Sequence, residues 1–154
     1  MTSKAPLFTV RSATDADVQS LSDLEIEARL EIASFRGHES LLNANELISP
    51  NWVSVISDHS KLVLVAESSG QIVGYSKGDI NLESGSCVVN HIYVDPMARQ
   101  IGIGAGLITE IARLAKIRGC KTLDALALPG DRKMKNLYER VGMPARLLVA
   151  SKTL

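Results

Sequence analysis

Three glycines, Gly102, Gly104 and Gly106, fall within the stretch ARQIGIGAGL at residues 98–107. Arg99 precedes them and an apolar run of helical spacing follows. The first amides of a helix have no partner inside it, and they carry the positive end of its dipole. At Gly102 and Gly104 no β-carbon stands between those amides and an approaching anion. Such a turn suits a phosphate or pyrophosphate. It equally suits a helix that packs tightly on a neighbouring piece of the same chain.

Two nucleotide readings fail on detail. A Walker loop needs Gly-x-x-x-x-Gly-Lys-Ser/Thr, and the sequence has no Gly-Lys-Ser/Thr. A dinucleotide fingerprint needs a third glycine where Leu107 stands, and it opens the first β-α unit, with an acid at the end of the next strand. Here the glycines follow three consecutive strands, and Asp124 falls inside the next strand rather than at its end.

The elements that must position these residues follow from periodicity. LFTVRSA (7–13) alternates as a strand, and Thr14 or Asp15 can cap a helix over about 16–32 with Leu21, Leu24, Ala28 and Leu30 on one face. Residues 34–58 read as broken helix and loop, since Pro50 forbids one continuous helix. KLVLVAES (61–68) and IVGYSKGDI (72–80) form a hairpin, and SCVVNHIYVD (86–95) a third consecutive strand ended by Asp95-Pro96. Leu107, Ile108, Ile111, Leu114 and Ala115 mark a helix closed by Gly119. TLDALAL (122–128) reads as a strand parallel to its predecessor. Asp131 caps a helix carrying Met134, Leu137, Tyr138 and Val141, and RLLVASKTL (146–154) reads as a terminal strand. Helices on a mixed sheet follow from this order.

Length and charge bound the rest. A chain of 154 residues suits one domain with its own core. Seventeen basic and 17 acidic residues give no net charge, which argues against a broad nucleic-acid surface. Cys87 and Cys120 are too few for a disulfide framework and lie in no metal-ligand spacing, so we expect free thiols, a reducing compartment and no metal. No apolar run is long enough to span a bilayer, and residues 1–14 lack a signal-type apolar core. The expectation is a cytoplasmic protein acting on neither membrane nor nucleic acid.

The stretch VDPMARQIGIGAGL resembles the acetyl-CoA-binding motif of the GNAT superfamily of N-acetyltransferases. Its signature, Gln/Arg-x-x-Gly-x-Gly/Ala, is met by Arg99, Gly102 and Gly104. The strand IYVDP before it, the later NLYERVGM and the order of elements match as well, over most of the chain. The resemblance implies an α/β (α+β) domain over residues 1–154, with a mixed, mostly antiparallel sheet, helices on both faces and a splayed central strand pair. It also implies acetyl-CoA as cosubstrate and an amine as acceptor, with direct attack in a ternary complex.

Carried over residue by residue, the amides of Gln100, Ile101, Gly102, Ile103, Gly104 and Ala105 would cradle the pyrophosphate. Arg99 would either hold the turn or touch phosphate. Pantetheine would pair with the strand carrying Ile92, Tyr93 and Val94, and one amide there would stabilise the oxyanion, an interaction typically worth about 3 kcal/mol. Tyr138 would protonate the departing thiolate, or else pack as a tyrosine on an apolar face. The family's usual glutamate base is replaced at Val88 or Asn90. His91 titrates in a useful range, and Asn90 could orient a water. Simple strand alternation puts Asn90 and His91 on opposite faces, so that only one could face the cleft.

Lys133 and Lys135 lie where the adenosine 3′-phosphate would sit, unless they only face solvent. Glu25, Glu27, Glu31 and Glu46 could draw in a cationic amine or merely form a solvated helix face. Both cysteines read as core residues rather than acyl carriers. Only a dozen residues follow Gly142, enough for one terminal strand where the family usually has two. An uncovered strand RLLVA would favour a homodimer through this region. Two competing functions remain at this level: a coenzyme A-binding sensor without catalysis, and a regulatory domain that binds another anion at the glycines.

Overall fold

The computed structural model describes residues 3–154, so Met1 and Thr2 of the residues read for a leader lie outside it. A single sheet of five strands runs in the order β1 (Thr9–Ser12), β2 (Lys61–Ser68), β3 (Gln71–Asn81), β4 (Ser86–Val94), β5 (Thr122–Ala125). The first three pairings are antiparallel and the last, β4 with β5, is parallel. Only the parallel pair needs a crossover, and helix α4 (Ile103–Ile117) supplies it.

Helices cover both faces. On one, α1 (Val18–Ile32) and α3 (Trp52–Ser57) pack around a core of Leu21, Leu24, Trp52, Val65, Tyr75 and Tyr93, and α2 (His38–Ala44) lies beside α1. On the other, α4 and α5 (Arg132–Arg140) bury Leu107, Ile111, Leu137 and Tyr138 against Leu62, Leu64 and Val89. The apolar period of α4 puts Leu107, Ile108, Ile111 and Ala115 on its sheet side. Gly119, at φ 95°, then ends it: the Gly119 amide donates to Lys116 and the Cys120 amide to Ala115. At the start of α5 the Asp131 carboxylate accepts from the Met134 amide at 3.0 Å.

Three expectations change and one holds. Leu30 is 65% exposed and takes no part in the α1 core face. Residues 34–58 are the broken helix and loop expected there, with two short helices, α2 and α3, on either side of Pro50. The strand expected at 122–128 stops at Ala125. Residues 146–154 form no strand at all, and β5 is therefore an edge rather than a central strand. The apolar residues of that tail find no partner in their own chain: Leu147, Leu148 and Val149 are each at least 80% exposed. No helix among the described residues is long and apolar enough to cross a membrane.

Candidate active site

The shortness of β5 makes the site. Its register with β4 runs from Ser86 opposite Thr122 to Val89 opposite Ala125 and ends there, while β4 continues to Val94. Past Val89 the two strands part. The Asp95 amide donates to the Val73 carbonyl of β3 at 2.8 Å. Backbone groups alternate along a strand, so those of Ile92 and Val94 face the opposite way, into the gap that β5 leaves. The Val94 carbonyl accepts from Arg99 Nε at 2.8 Å, which leaves the Val94 amide and both groups of Ile92 to meet a ligand.

The glycine turn lies at the end of this gap. The chain takes left-handed conformations at Gln100 (φ 72°) and Gly102 (φ 94°), and Gly102 is the N-cap of α4. Alternation of this kind turns successive amides to one side as an anion-binding concavity. No side chain caps the helix. The first amide to bond within it is that of Gly106, to the Gly102 carbonyl at 2.9 Å, so those of Ile103, Gly104 and Ala105 point outward.

The three glycines turn out to serve different ends. Gly102 supplies the left-handed conformation. A β-carbon on Gly104 would come within 2.9 Å of Leu137 on α5, and one on Gly106 within 2.9 Å of Phe8. Both are packing positions, so the clearance for an anion first ascribed to Gly104 belongs to the helix–helix contact instead.

Arg99 is fully engaged. Its Nη1 and Nη2 donate to the two carboxylate oxygens of Glu31, each at 2.9 Å, and its guanidinium lies 5.5 Å over the Tyr93 ring. With the bond to Val94 it ties the turn to β4 and α1. Ile101 is 39% exposed at the turn's outer side. Lys133 stands exposed on α5, whereas Lys135 donates to the Pro129 carbonyl.

β4 carries an irregularity that the sequence does not announce. Lys77 pairs with His91 but Gly78 with Val89, so Asn90 is an extra residue, a β-bulge. The bulge resets the alternation. Asn90 and His91 both line the cleft, contrary to the expectation that only one could. The Asn90 amide donates to Asp79 and its oxygen accepts from Lys77 Nζ at 3.2 Å. His91 Nδ1 lies 3.2 Å from the Tyr75 hydroxyl, and its ring packs near Trp52. Burial holds the His91 pKa down at about 4, with Lys77 adding to the effect, so the ring is neutral at physiological pH. Burial alone would raise the Asp79 carboxyl, but the Lys77 and Lys61 ammonium groups hold it below the usual range.

Tyr138 stands on the other wall, its hydroxyl donating to the Leu126 carbonyl just past the end of β5 at 3.0 Å. Burial, with Asp131 nearby, raises its pKa and keeps the phenol protonated. One cleft therefore passes through the parted strands, with Tyr138, Ile92 and Met134 on the α5 side and Tyr75, His91 and Phe35 on the α1 side.

Of the glutamates first considered, Glu31 alone lines this cleft. Glu25 is wholly buried and accepts from the Ile48 and Ser49 amides at 2.8 and 3.0 Å, which fixes the loop before α3. Glu27 borders a separate surface groove with Asp23 and Asp95, and Glu46 is exposed. Cys87 and Cys120 are buried in the α4-side core, and burial pushes the Cys87 thiol up to about 11.

Sequence reasoning missed Lys77, Asp79 and Tyr75. For Lys77 and Asp79 the signal was two charged residues two apart, and so on one face, in the middle of a strand; Tyr75 gave none.

Comparison with known proteins agrees with this architecture. Residues 21–143 match the acetyltransferase (GNAT) family. The chain is 25% identical over 142 residues to the "Uncharacterized N-acetyltransferase YhfO" of Bacillus subtilis (strain 168), covering 88% of this chain and 89% of that one. Among solved structures, the aminoglycoside acetyltransferase meta-AAC0020 from an uncultured soil metagenomic sample, in complex with trehalose, superposes with a TM-score of 0.74 at 16% identity, over 97% of each chain. The aminoglycoside N-acetyltransferase AAC(6')-Iy in complex with CoA gives 0.69 at 16% identity, over 95% of this chain and 100% of that one. The family match spans most of the chain and coincides with the parted strands and the uncapped helix beside them: this protein belongs to the acetyltransferase (GNAT) family and is an acyltransferase.

Proposed function

We propose that this chain moves the acetyl group of acetyl-CoA onto a primary amine, of a small molecule or a peptide or protein, by direct attack in a ternary complex. The observation that carries the reading is the parting of β4 from β5 beside the uncapped start of α4, with the Tyr138 hydroxyl in the gap. The residues present fit coenzyme A. The amides from Gln100 to Ala105 offer the pyrophosphate a concavity, Ile92 and Val94 offer the pantetheine arm a strand edge, and Lys133 lies exposed near the outer phosphate's expected place.

Acetyl-CoA supplies an activated thioester. The Ile92 amide faces the gap and donates to the carbonyl oxygen as negative charge develops on it. The neutral amine nitrogen bonds to the carbonyl carbon and releases one proton to water in the cleft; the carbon–sulfur bond breaks, Tyr138 gives its proton to the sulfur, and the phenol regains a proton from that water, so no net proton is gained or lost. Asn90, with its oxygen on Lys77 and its amide on Asp79, holds a fixed dipole at the cleft floor and serves to position a water. His91 is neutral and can accept a proton, though weakly.

Thiol release from acetyl-CoA across a panel of amines tests this. Tyr138→Phe is expected to lower kcat by about 100-fold while leaving coenzyme affinity near wild type. Tight coenzyme binding with no release on any amine would favour the sensor reading instead.

A further inference from the structure

The cleft that passes between β4 and β5 opens on the α1–α2 side into a pocket whose lining bears on the acceptor. That lining is dominated by Ile32, Phe35, Leu41, Leu42, Tyr75 and Leu128. Apart from the neutral His91, the acidic and basic side chains around the cleft are Arg29, Glu31 and Asp131. Arg29 donates to the Asn45 carbonyl at 2.6 Å, and Glu31 is neutralised by the two-pronged bond to Arg99. Asp131 is the one lining carboxylate with no cationic side chain bonded to it; it accepts from the Met134 amide.

A polycation brought into this cleft would lose hydration at several ammonium groups and meet a single unpaired carboxylate. Charges withdrawn from water without partners are costly. An amine with one charge and an apolar body has the opposite balance: its body gains from burial, and its one charge has one counter-charge. Desolvation also favours the neutral, nucleophilic form of an amine, which matters where Val88 or Asn90 stands in place of a carboxylate base.

We infer that the acceptor is a small primary monoamine with an apolar or aromatic body, seated against Phe35, Leu41 and Leu42, and not a polycation of the aminoglycoside kind. This rests on the reading of the cleft as an acetyl-transfer site. Calorimetric titration of CoA-loaded protein with 2-phenylethylamine, hexylamine, spermidine and kanamycin, followed by turnover with acetyl-CoA, separates the two. The monoamines are expected to bind at least about 10-fold more tightly than either polycation. Turnover is expected to follow the same order. Leu42 is only partly buried, so Leu42→Asp adds a carboxylate without threatening the core, and it is expected to narrow the affinity ratio by about 10-fold. Equal or tighter binding of spermidine or kanamycin would overturn the inference. So would failure of both monoamines to bind, or an unchanged ratio in Leu42→Asp. Monoamine binding with no thiol release would instead overturn the transfer reading and leave the acceptor class standing.

Discussion

At the scale of single residues, His91 makes the sharpest statement. Its ring packs near Tyr75 and Trp52, and after burial the Lys77 ammonium is the largest influence on it, with Asp79 and Arg29 also acting. Its pKa is about 4 in the folded chain against 6.5 for an ordinary histidine, so the unfolded chain binds the extra proton first. Stability from this residue is fully present above about pH 6.5 and drains away as pH falls towards about 4. At pH 5 the loss is about 2 kcal/mol. Urea midpoints at pH 7.5 and pH 5 should therefore differ more for wild type than for His91→Gln, and equal differences would refute the assignment. The type of this residue was legible in the sequence, but its orientation was not. One extra residue at Asn90 leaves composition and periodicity almost unchanged, yet it moves every later side chain of β4 to the other face. Glu25 misled for a related reason: helical spacing cannot tell a glutamate that faces water from one that caps a loop 23 residues away.

At the scale of elements, the legible parts were those with a strong period and a stop signal. α4, with its apolar stripe and Gly119, and the three consecutive antiparallel strands are where the pattern put them. β5 was read too long because Leu126, Ala127 and Leu128 are as apolar as a buried strand; they line the cleft instead of pairing. An apolar run states that it will be covered, not by what. The turn before α4 gives a test at this scale. Gly102 adopts φ 94° with only Phe8 near the place of a β-carbon, at 3.9 Å. Gly102→Ala thus meets little steric obstruction and strains the backbone alone, by about 1–2 kcal/mol. Relief of that strain would rotate the amides of Ile103 and Gly104 out of the concavity. Coenzyme affinity should therefore fall about 10-fold or more, by calorimetry, with the fold retained by circular dichroism. Undiminished affinity would detach the turn from coenzyme binding.

The whole molecule leaves one surface unaccounted for. β5 is an edge strand of four residues, and the ten residues following Pro144 run on without secondary structure. Leu147, Leu148, Val149 and Leu154 are exposed there, at 83%, 89%, 80% and 112%. Their strand-like pattern remains physically meaningful: such a segment pairs readily wherever an unpaired edge is available. Within the chain it pairs with none, yet a second copy would offer both an identical tail and an open β5. We expect the protein to self-associate through this region, burying the tails against one another or against the partner's β5. Light scattering should then give a mass above 16.6 kDa that falls towards the monomer on dilution. Deleting residues 145–154 should abolish the association while leaving α5 and the Tyr138 bond intact, since the last backbone bond that closes α5 is made by the Met143 amide. A monomeric mass at every concentration, or a dimer that survives the deletion, would show that these apolar residues serve something other than pairing between copies.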